Sequence, residues 1–258
     1  MVPRAATGVA LNAPAWLTAR PIAHRGLHGE ARGLVENTRA AAKAAIARSY
    51  AIECDIQRTR DDEAVVFHDF TLERLTRATG RVDHHLADDL AAVAFRASNE
   101  TVPRLSAFLE LIAGRTPLII EIKSGFDGDE RLAARLLEVL ADYPGPAAVK
   151  SFDPAVLAFL RIAGIDRPLG LVAQARYSAD EWPELTQRQQ VEFGTLSAFS
   201  SVRPDFLSWH VGDLPHATPE LCRSGIGLPV MTWTVRSEED RTRAAIWADQ
   251  MIFEGFEP

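Results

Sequence analysis

Apolar residues gather in short runs that recur along the chain, at 21–25, 51–57, 118–123, 147–152, 169–173, 206–210, 230–235 and 251–254. Short continuous runs of this kind read as strands buried on both faces. Between most of them lie stretches with helical spacing, at 38–49, 130–140, 154–163, 218–223 and 238–247. In the second of these, Leu132, Leu136, Leu137 and Leu140 form one stripe. Asn37 and Thr38 provide a helix start signal, and Pro154 and Pro219 suit a first turn. Strand and helix in alternation predict a parallel sheet. Eight such units in 258 residues predict an α/β fold, a single (β/α)₈ TIM barrel. One stretch breaks the rhythm: residues 58–103 are too long for one connection and form an insertion after the second strand. Within it, 65–68 suits an extra strand and 88–94 a short helix. No linker, low-complexity tract or repeat interrupts the chain, so one domain over 1–258 is expected.

Composition adds exclusions. The net charge is -7, without the basic face that a nucleic-acid partner requires, and it disfavours stable association with an anionic membrane. Only Cys54 and Cys222 are present, which is no disulfide framework and suits a reducing compartment. The N-terminal stretch carries Arg4 and is broken by Asn12 and Pro14, so no secretory leader is read there. A cytoplasmic protein is the expectation.

The candidate chemistry lies in the first half of the chain: His24-Arg25-Gly26, Glu36-Asn37-Thr38, Glu53-Cys54-Asp55, His68-Asp69 and Glu121-Ile122-Lys123. Residues two apart in a strand share a face. Glu53 and Asp55 therefore point together, away from Ile52, Cys54 and Ile56, and Glu121 and Lys123 point together, away from Ile122. Such residues suit the C-terminal mouth of a barrel, where these folds keep their sites. Three converging carboxylates make an oxygen-rich set for a hard cation such as Mg²⁺ or Ca²⁺. Spacing alone leaves open a structural ion network with Arg25 or Lys123. His24 and His68 each follow an apolar run, and imidazole serves both proton donation and acceptance near neutrality. Arg25 suits bidentate contact with phosphate oxygens, and Lys123 adds a point charge; the alternative for Arg25 is a salt bridge under the mouth. Gly26 lets the chain turn. Glu36-Asn37-Thr38 reads mainly as a helix start, and Asp69 either orients the His68 imidazole or caps a turn, with the local role favoured. Trp233, near the end of the seventh run, is either core or an apolar wall for a small alcohol or choline-like group. Ser151-Phe152 is read as turn and packing or as a hydroxyl and a second wall. His28, His84, His85, His210 and His216 lack supporting neighbours and read as surface or loop residues, with some reserve for His210 at the presumed mouth.

Taken together these pieces resemble the glycerophosphodiester phosphodiesterase family. The matching residues are Ala23-His24-Arg25-Gly26, Glu36-Asn37-Thr38, Glu53 with Asp55, His68-Asp69 followed by Leu72-Glu73-Arg74-Leu75-Thr76, Val102-Pro103 with Leu105, Glu121-Ile122-Lys123, Ser151-Phe152 and Thr232-Trp233-Thr234-Val235. The resemblance implies a TIM barrel with a small insertion after the second strand. It also implies metal-dependent hydrolysis of small glycerophosphodiesters to an alcohol and glycerol 3-phosphate. It makes His24 and His68 the acid/base pair, and Glu53, Asp55 and Glu121 the ligands of a divalent cation. Arg25 and Lys123 would bind phosphate, and Trp233 would line the pocket. Two departures stand out. Phe253-Glu254-Gly255-Phe256-Glu257-Pro258 replaces a Thr-Asp-x-Pro-like turn, and Arg236 stands where Asn often follows the seventh strand. The rival readings are a lipid-cleaving barrel acting on lysophospholipids and a catalytically silent phosphate-binding barrel.

Overall fold

Every one of the eight apolar runs forms a strand of one closed parallel barrel. The computed structural model describes residues 13–258, so the reading of the N-terminal stretch with Arg4 and Asn12 lies outside the described residues. In chain order the strands are β1 (Ile22–Ala23), β2 (Ala51–Arg58), β3 (Ala64–Val66), β4 (Leu118–Ile122), β5 (Ala147–Ser151), β6 (Leu169–Ala173), β7 (Phe206–His210), β8 (Val230–Val235) and β9 (Gln250–Phe253). The sheet runs β1-β9-β8-β7-β6-β5-β4-β2, and pairing of β1 with β2 closes it. The short β3 lies antiparallel on β2. The helices are α1 (Arg39–Ala47), α2 (Ala87–Ala91), α3 (Leu105–Ile112), α4 (Arg131–Ala141), α5 (Pro154–Ile162), α6 (Gln187–Gly194), α7 (Phe199–Val202), α8 (Ala217–Glu220) and α9 (Glu238–Trp247). None is long and apolar enough to cross a membrane.

Side-chain parity organises the interior. Ala23, Ile52, Cys54, Ile56, Ile120, Val149, Leu169, Leu171, Leu207, Trp209, Val230 and Phe253 pack outward, in one cluster with the inner faces of α1, α3, α4 and α5. The opposite parity faces the barrel axis. Its lower layer is apolar: Ile22, Ala51, Ile119, Ala148, Phe206, Met231 and Ile252 form a separate cluster sealed by Leu17. Gly170 completes this layer, because a Cβ there would meet the Phe206 ring at 2.1 Å. One step towards the C-terminal ends, the same parity presents His24, Glu53, Glu121, Lys150, Ser208, Trp233 and Glu254. A dry floor thus carries a polar storey.

Three departures from the expected elements have local causes. β1 stops at Ala23 because Arg25 (φ 54°) and Gly26 (φ 80°) turn the chain, and a Cβ on Gly26 would lie 2.9 Å from Ala41 of α1. α3 escaped the periodicity reading because its eight residues, Leu-Ser-Ala-Phe-Leu-Glu-Leu-Ile, are too short and apolar to separate helix from strand. α6 buries none of its residues, so it has no stripe to detect; a Thr186–Gln189 capping box starts it. Residues 58–103 hold their own apolar cluster, built on Val65, Phe67, Leu72, Val82, Leu90 and Phe95. The extra strand, Ala64–Val66, is one residue shorter than the expected 65–68 and ends two residues earlier, but Phe67 N still donates to Asp55 O at 3.0 Å, which brings His68 to the mouth.

Candidate active site

Register builds the centre of the site. Asp55 of β2 lies opposite Glu121 of β4, and Glu121 lies opposite Lys150 of β5. Glu53, Asp55 and Glu121 each offer an oxygen, all within 4.8 Å of one another, and all three are buried. Lys123 Nζ contacts Asp55 Oδ1 at 2.8 Å and also Glu121 Oε1. Lys150 Nζ lies 2.7 Å from Glu121 Oε2 and 3.0 Å from Glu53 Oε1. The contact with Glu53 lacks hydrogen-bond geometry, so Glu53 Oε1 is a buried oxygen with no hydrogen-bond donor. Glu53 Oε1 faces the Lys150 ammonium, and it is the donor set, three buried carboxylates each offering an oxygen within 4.8 Å of the others, that suits a hard cation. Burial opposes ionisation of Asp55, but Lys123 and then His68 and Arg25 outweigh it and hold the carboxyl well below its ordinary value. Burial likewise opposes the charge on Lys123, and Asp55 and Glu121 more than restore it.

Two imidazoles border this centre, each held by a carboxylate. His24 Nδ1 is 2.7 Å from Glu254 Oε2, while His24 Nε2 is 4.0 Å from Glu53 Oε2. His68 Nδ1 is 2.7 Å from Asp69 Oδ1, and Arg74 Nη2 donates to the same oxygen at 2.9 Å. Burial raises the Glu254 carboxyl, yet the His24 hydrogen bond and charge, with Arg236, bring it to about 2. An ionised carboxylate only accepts, so each imidazole carries its proton on Nδ1 and turns Nε2 away from its carboxylate.

Around them runs a second ionic chain. Arg25 Nη1 donates to Glu36 Oε1 at 2.7 Å, and its Nε lies 3.4 Å from Asp55 Oδ2. Arg74 donates to both Glu36 oxygens, at 2.9 and 2.7 Å. Asn37 Nδ2 donates to Asp55 Oδ2 at 2.9 Å, and Asn37 Oδ1 accepts from Asp55 N at 3.2 Å. Burial favours the neutral Glu36, but Arg74 and Arg25 override it and lower the pKa from 4.5 to about 2. A carboxylate depressed in the folded state contributes stability above its unfolded pKa and loses it as pH falls through the folded one. The Glu36 contribution, roughly 3 kcal/mol at most, is therefore expected to vanish between about pH 4.5 and 2. Urea denaturation of wild type and Glu36→Gln across that interval checks this: the stability gap should close as pH falls.

The mouth opens into a cavity of about 410 Å³ lined by His68, Glu121, Lys123, Phe126, Phe152, Trp182 and Trp233, with Glu181 and Glu184 at its rim. Phe152 is the hinge of the wall, with ring centroids 4.7 Å from Trp182 and 5.3 Å from Trp233. A larger depression, about 620 Å³, lies at the opposite, N-terminal end among Pro144, Pro146 and Pro168, away from the carboxylates.

All eight candidate residues, His24, Arg25, Glu53, Asp55, His68, Glu121, Lys123 and Trp233, lie at this one mouth. Some residues read as bystanders are not. Asp69 holds His68 rather than capping a turn. Only Thr38 of Glu36-Asn37-Thr38 caps α1; Asn37 and Glu36 turn into the ionic chain. His28 is half-buried near His24 and Glu254, and the His210 ring lies 5.0 Å from that of Trp233. Lys150, Glu254 and Trp182 were missed. Parity applied to β5 and to the end of β9 would have found the first two. Trp182 lies in the loop joining β6 to α6, where no periodicity operates.

A model described as the Glycerophosphoryl diester phosphodiesterase family matches residues 24–255. A glycerophosphodiester phosphodiesterase of Caldanaerobacter subterraneus subsp. tengcongensis is 34% identical over 232 residues, 86% of this chain and 88% of that protein. A phosphodiesterase from Oleispira antarctica, solved in complex with the product sn-glycerol-3-phosphate, superposes with a TM-score of 0.74 at 21% identity, covering 90% of this chain and 91% of that one. A protein from Silicibacter pomeroyi, provisionally named a glycerophosphoryl diester phosphodiesterase, gives a TM-score of 0.72 at 25% identity, over 91% and 89% of the two chains.

Proposed function

The chain belongs to the glycerophosphoryl diester phosphodiesterase family and is a phosphoric diester hydrolase, and from that premise we propose a metal-assisted cleavage in which His24 and His68 exchange the proton. The substrate is a small glycerophosphodiester, and the products are an alcohol and glycerol 3-phosphate. The observation that carries this reading is the pair of carboxylate-held imidazoles bordering three buried carboxylates.

One imidazole takes the proton of the attacking oxygen as that oxygen bonds to phosphorus, and the other gives a proton to the alkoxide as its bond to phosphorus breaks. The attacking oxygen is that of water, or that of the neighbouring glycerol hydroxyl, in which case water then opens the cyclic phosphate. Glu254 and Asp69 fix both rings in the required tautomer. Lys123, at the cavity wall, moves its ammonium from the carboxylates to the phosphate, and Arg25 faces the same oxygens. Glu53, Asp55 and Glu121 would hold a divalent cation, which when bound neutralises phosphoryl charge and orients the nucleophile. The aromatic wall of Phe152, Trp182 and Trp233 takes the alcohol and excludes water. The sn-glycerol-3-phosphate held as product by the Oleispira protein supports a glycerol 3-phosphate product here. A cavity of about 410 Å³ suits a small alcohol better than a lysophospholipid chain.

Release of glycerol 3-phosphate from glycerophosphocholine, glycerophosphoethanolamine and glycerophosphoglycerol, with Mg²⁺, Ca²⁺, Mn²⁺ or chelator, tests the proposal. Turnover is expected with a divalent cation and should fall by about a hundredfold or more in chelator. Turnover that ignores chelator would remove the cation from the reaction. Faster cleavage of a lysophospholipid would favour the lipid-cleaving reading, and no hydrolysis at all would favour the silent barrel.

A further inference from the structure

Two ammonium groups meet the carboxylate triad, and they are not equivalent. Lys123 follows β4 at the mouth, lines the cavity, and keeps 15% of its side chain exposed. Its ammonium rests on Asp55 Oδ1 and Glu121 Oε1, and an arriving phosphate can draw it away. Lys150 sits in mid-strand on β5, directly above Ala148 of the apolar floor, with 2% of its side chain exposed. It does not line the cavity, so substrate cannot reach it. Its ammonium touches Glu53 Oε1 and Glu121 Oε2, while Glu53 Oε2 accepts from Arg25 N at 3.0 Å and Glu121 Oε1 faces Lys123. Leaving that position would strand a buried charge, so the contact is permanent.

The charges then sum in a simple way. Glu53, Asp55 and Glu121 carry three negative charges, and the Arg25–Glu36–Arg74–Asp69 chain balances itself. With Lys150 fixed and Lys123 drawn to phosphate, two negative charges remain, the complement of one divalent cation. We infer that Lys150 is a positioning residue: a built-in countercharge that holds Glu53 and Glu121 by one oxygen each, keeps the triad assembled without metal, and sets its demand at a single, reversibly bound divalent cation. This rests on the reading of the triad as a cation site. Lys150 takes no part in proton transfer and does not touch substrate.

The test is Mn²⁺ titration of the chelator-stripped full chain, followed by calorimetry or electron paramagnetic resonance, for wild type and Lys150→Met. Thermal unfolding with and without chelator accompanies it. Methionine keeps the length and apolar stem but removes the charge. Lys150→Met should bind Mn²⁺ about tenfold or more tightly than wild type, because two buried carboxylates lose their only fixed counterion. Its Tm should become strongly metal-dependent, while the wild-type Tm should change little on chelation. A lysine with only a packing role would lower Tm without tightening Mn²⁺ binding. Equal or weaker Mn²⁺ binding by the variant overturns the inference. No Mn²⁺ binding by either protein overturns the cation-site reading beneath it. If Lys150→Met does not fold, Lys150→Gln, which keeps a donor, replaces it. A wild type that loses its fold in chelator would independently refute a triad held together by Lys150.

Discussion

Replacing His24 or His68 with alanine is expected to lower kcat for glycerophosphodiester hydrolysis by about a thousandfold, within the range that a positioned acid or base contributes. KM should change little, because neither ring is the main phosphate contact. The His24 and His68 substitutions should also be far from additive. Once one proton transfer is lost, the other ring has no concerted partner, and the double variant should be only slightly slower than either single one. Thermal unfolding should shift by only a few degrees, since the two imidazoles sit at the mouth rather than in the floor. Steady-state kinetics on the three variants decides the matter. A loss below about tenfold at either position would remove that histidine from the acid/base pair.

Asp55→Ala is expected to damage both stability and turnover. The carboxylate is 1% exposed and accepts from Asn37 Nδ2 at 2.9 Å while facing Lys123 Nζ at 2.8 Å and Arg25 Nε at 3.4 Å. Truncation removes the carboxylate that Lys123 and Arg25 share, leaving Lys123 with Glu121 alone and Arg25 with Glu36 alone in a largely buried site. Breaking a buried pair in this way costs about 3–5 kcal/mol, or about 10 °C in Tm for a chain of this size. Hydrolysis should become undetectable, because the phosphate-binding cations lose their placement and the triad loses its central oxygen. Asp55→Asn keeps the shape and part of the hydrogen bonding, so it should recover part of the Tm and none of the activity. Full thermal stability in Asp55→Ala would contradict the electrostatic account of the centre.

What the chain disclosed in advance follows from periodicity. The barrel was legible because buried parallel strands are short, continuous and apolar, and all eight appear at the expected places. The triad was legible because parity within β2 and β4 sorts Glu53, Asp55 and Glu121 from Cys54 and Ile122. The supporting residues were harder to see. Glu254 reaches His24 across 230 positions of sequence, and closure of β9 on β1 makes that contact, which no local pattern encodes. Asn37 and Glu36 carry the composition of a helix start, so the commoner role of such residues hid the rarer one. Trp182 depends on the path of an irregular loop. Lys150 is the exception, since parity on β5 turns it inward with Ala148, and a lysine after Ala147, Ala148 and Val149 signals a buried counterion.

The segment that carries His68 gives the molecule an unusual vulnerability. Its apolar cluster is separate from the barrel's, and β3 joins it to the barrel through the ladder to β2. One imidazole is thus mounted on the scaffold and its counterpart on an attachment. A unit packed around its own apolar cluster can open separately from the body it adjoins. Here the β2–β3 ladder, Gln57 Nε2 on His68 O and the Arg74–Glu36 and Arg135–Glu63 pairs set how easily it does so. Catalytic competence therefore works as a latch, and warming or mild denaturant should silence the enzyme while the barrel around the triad is still intact.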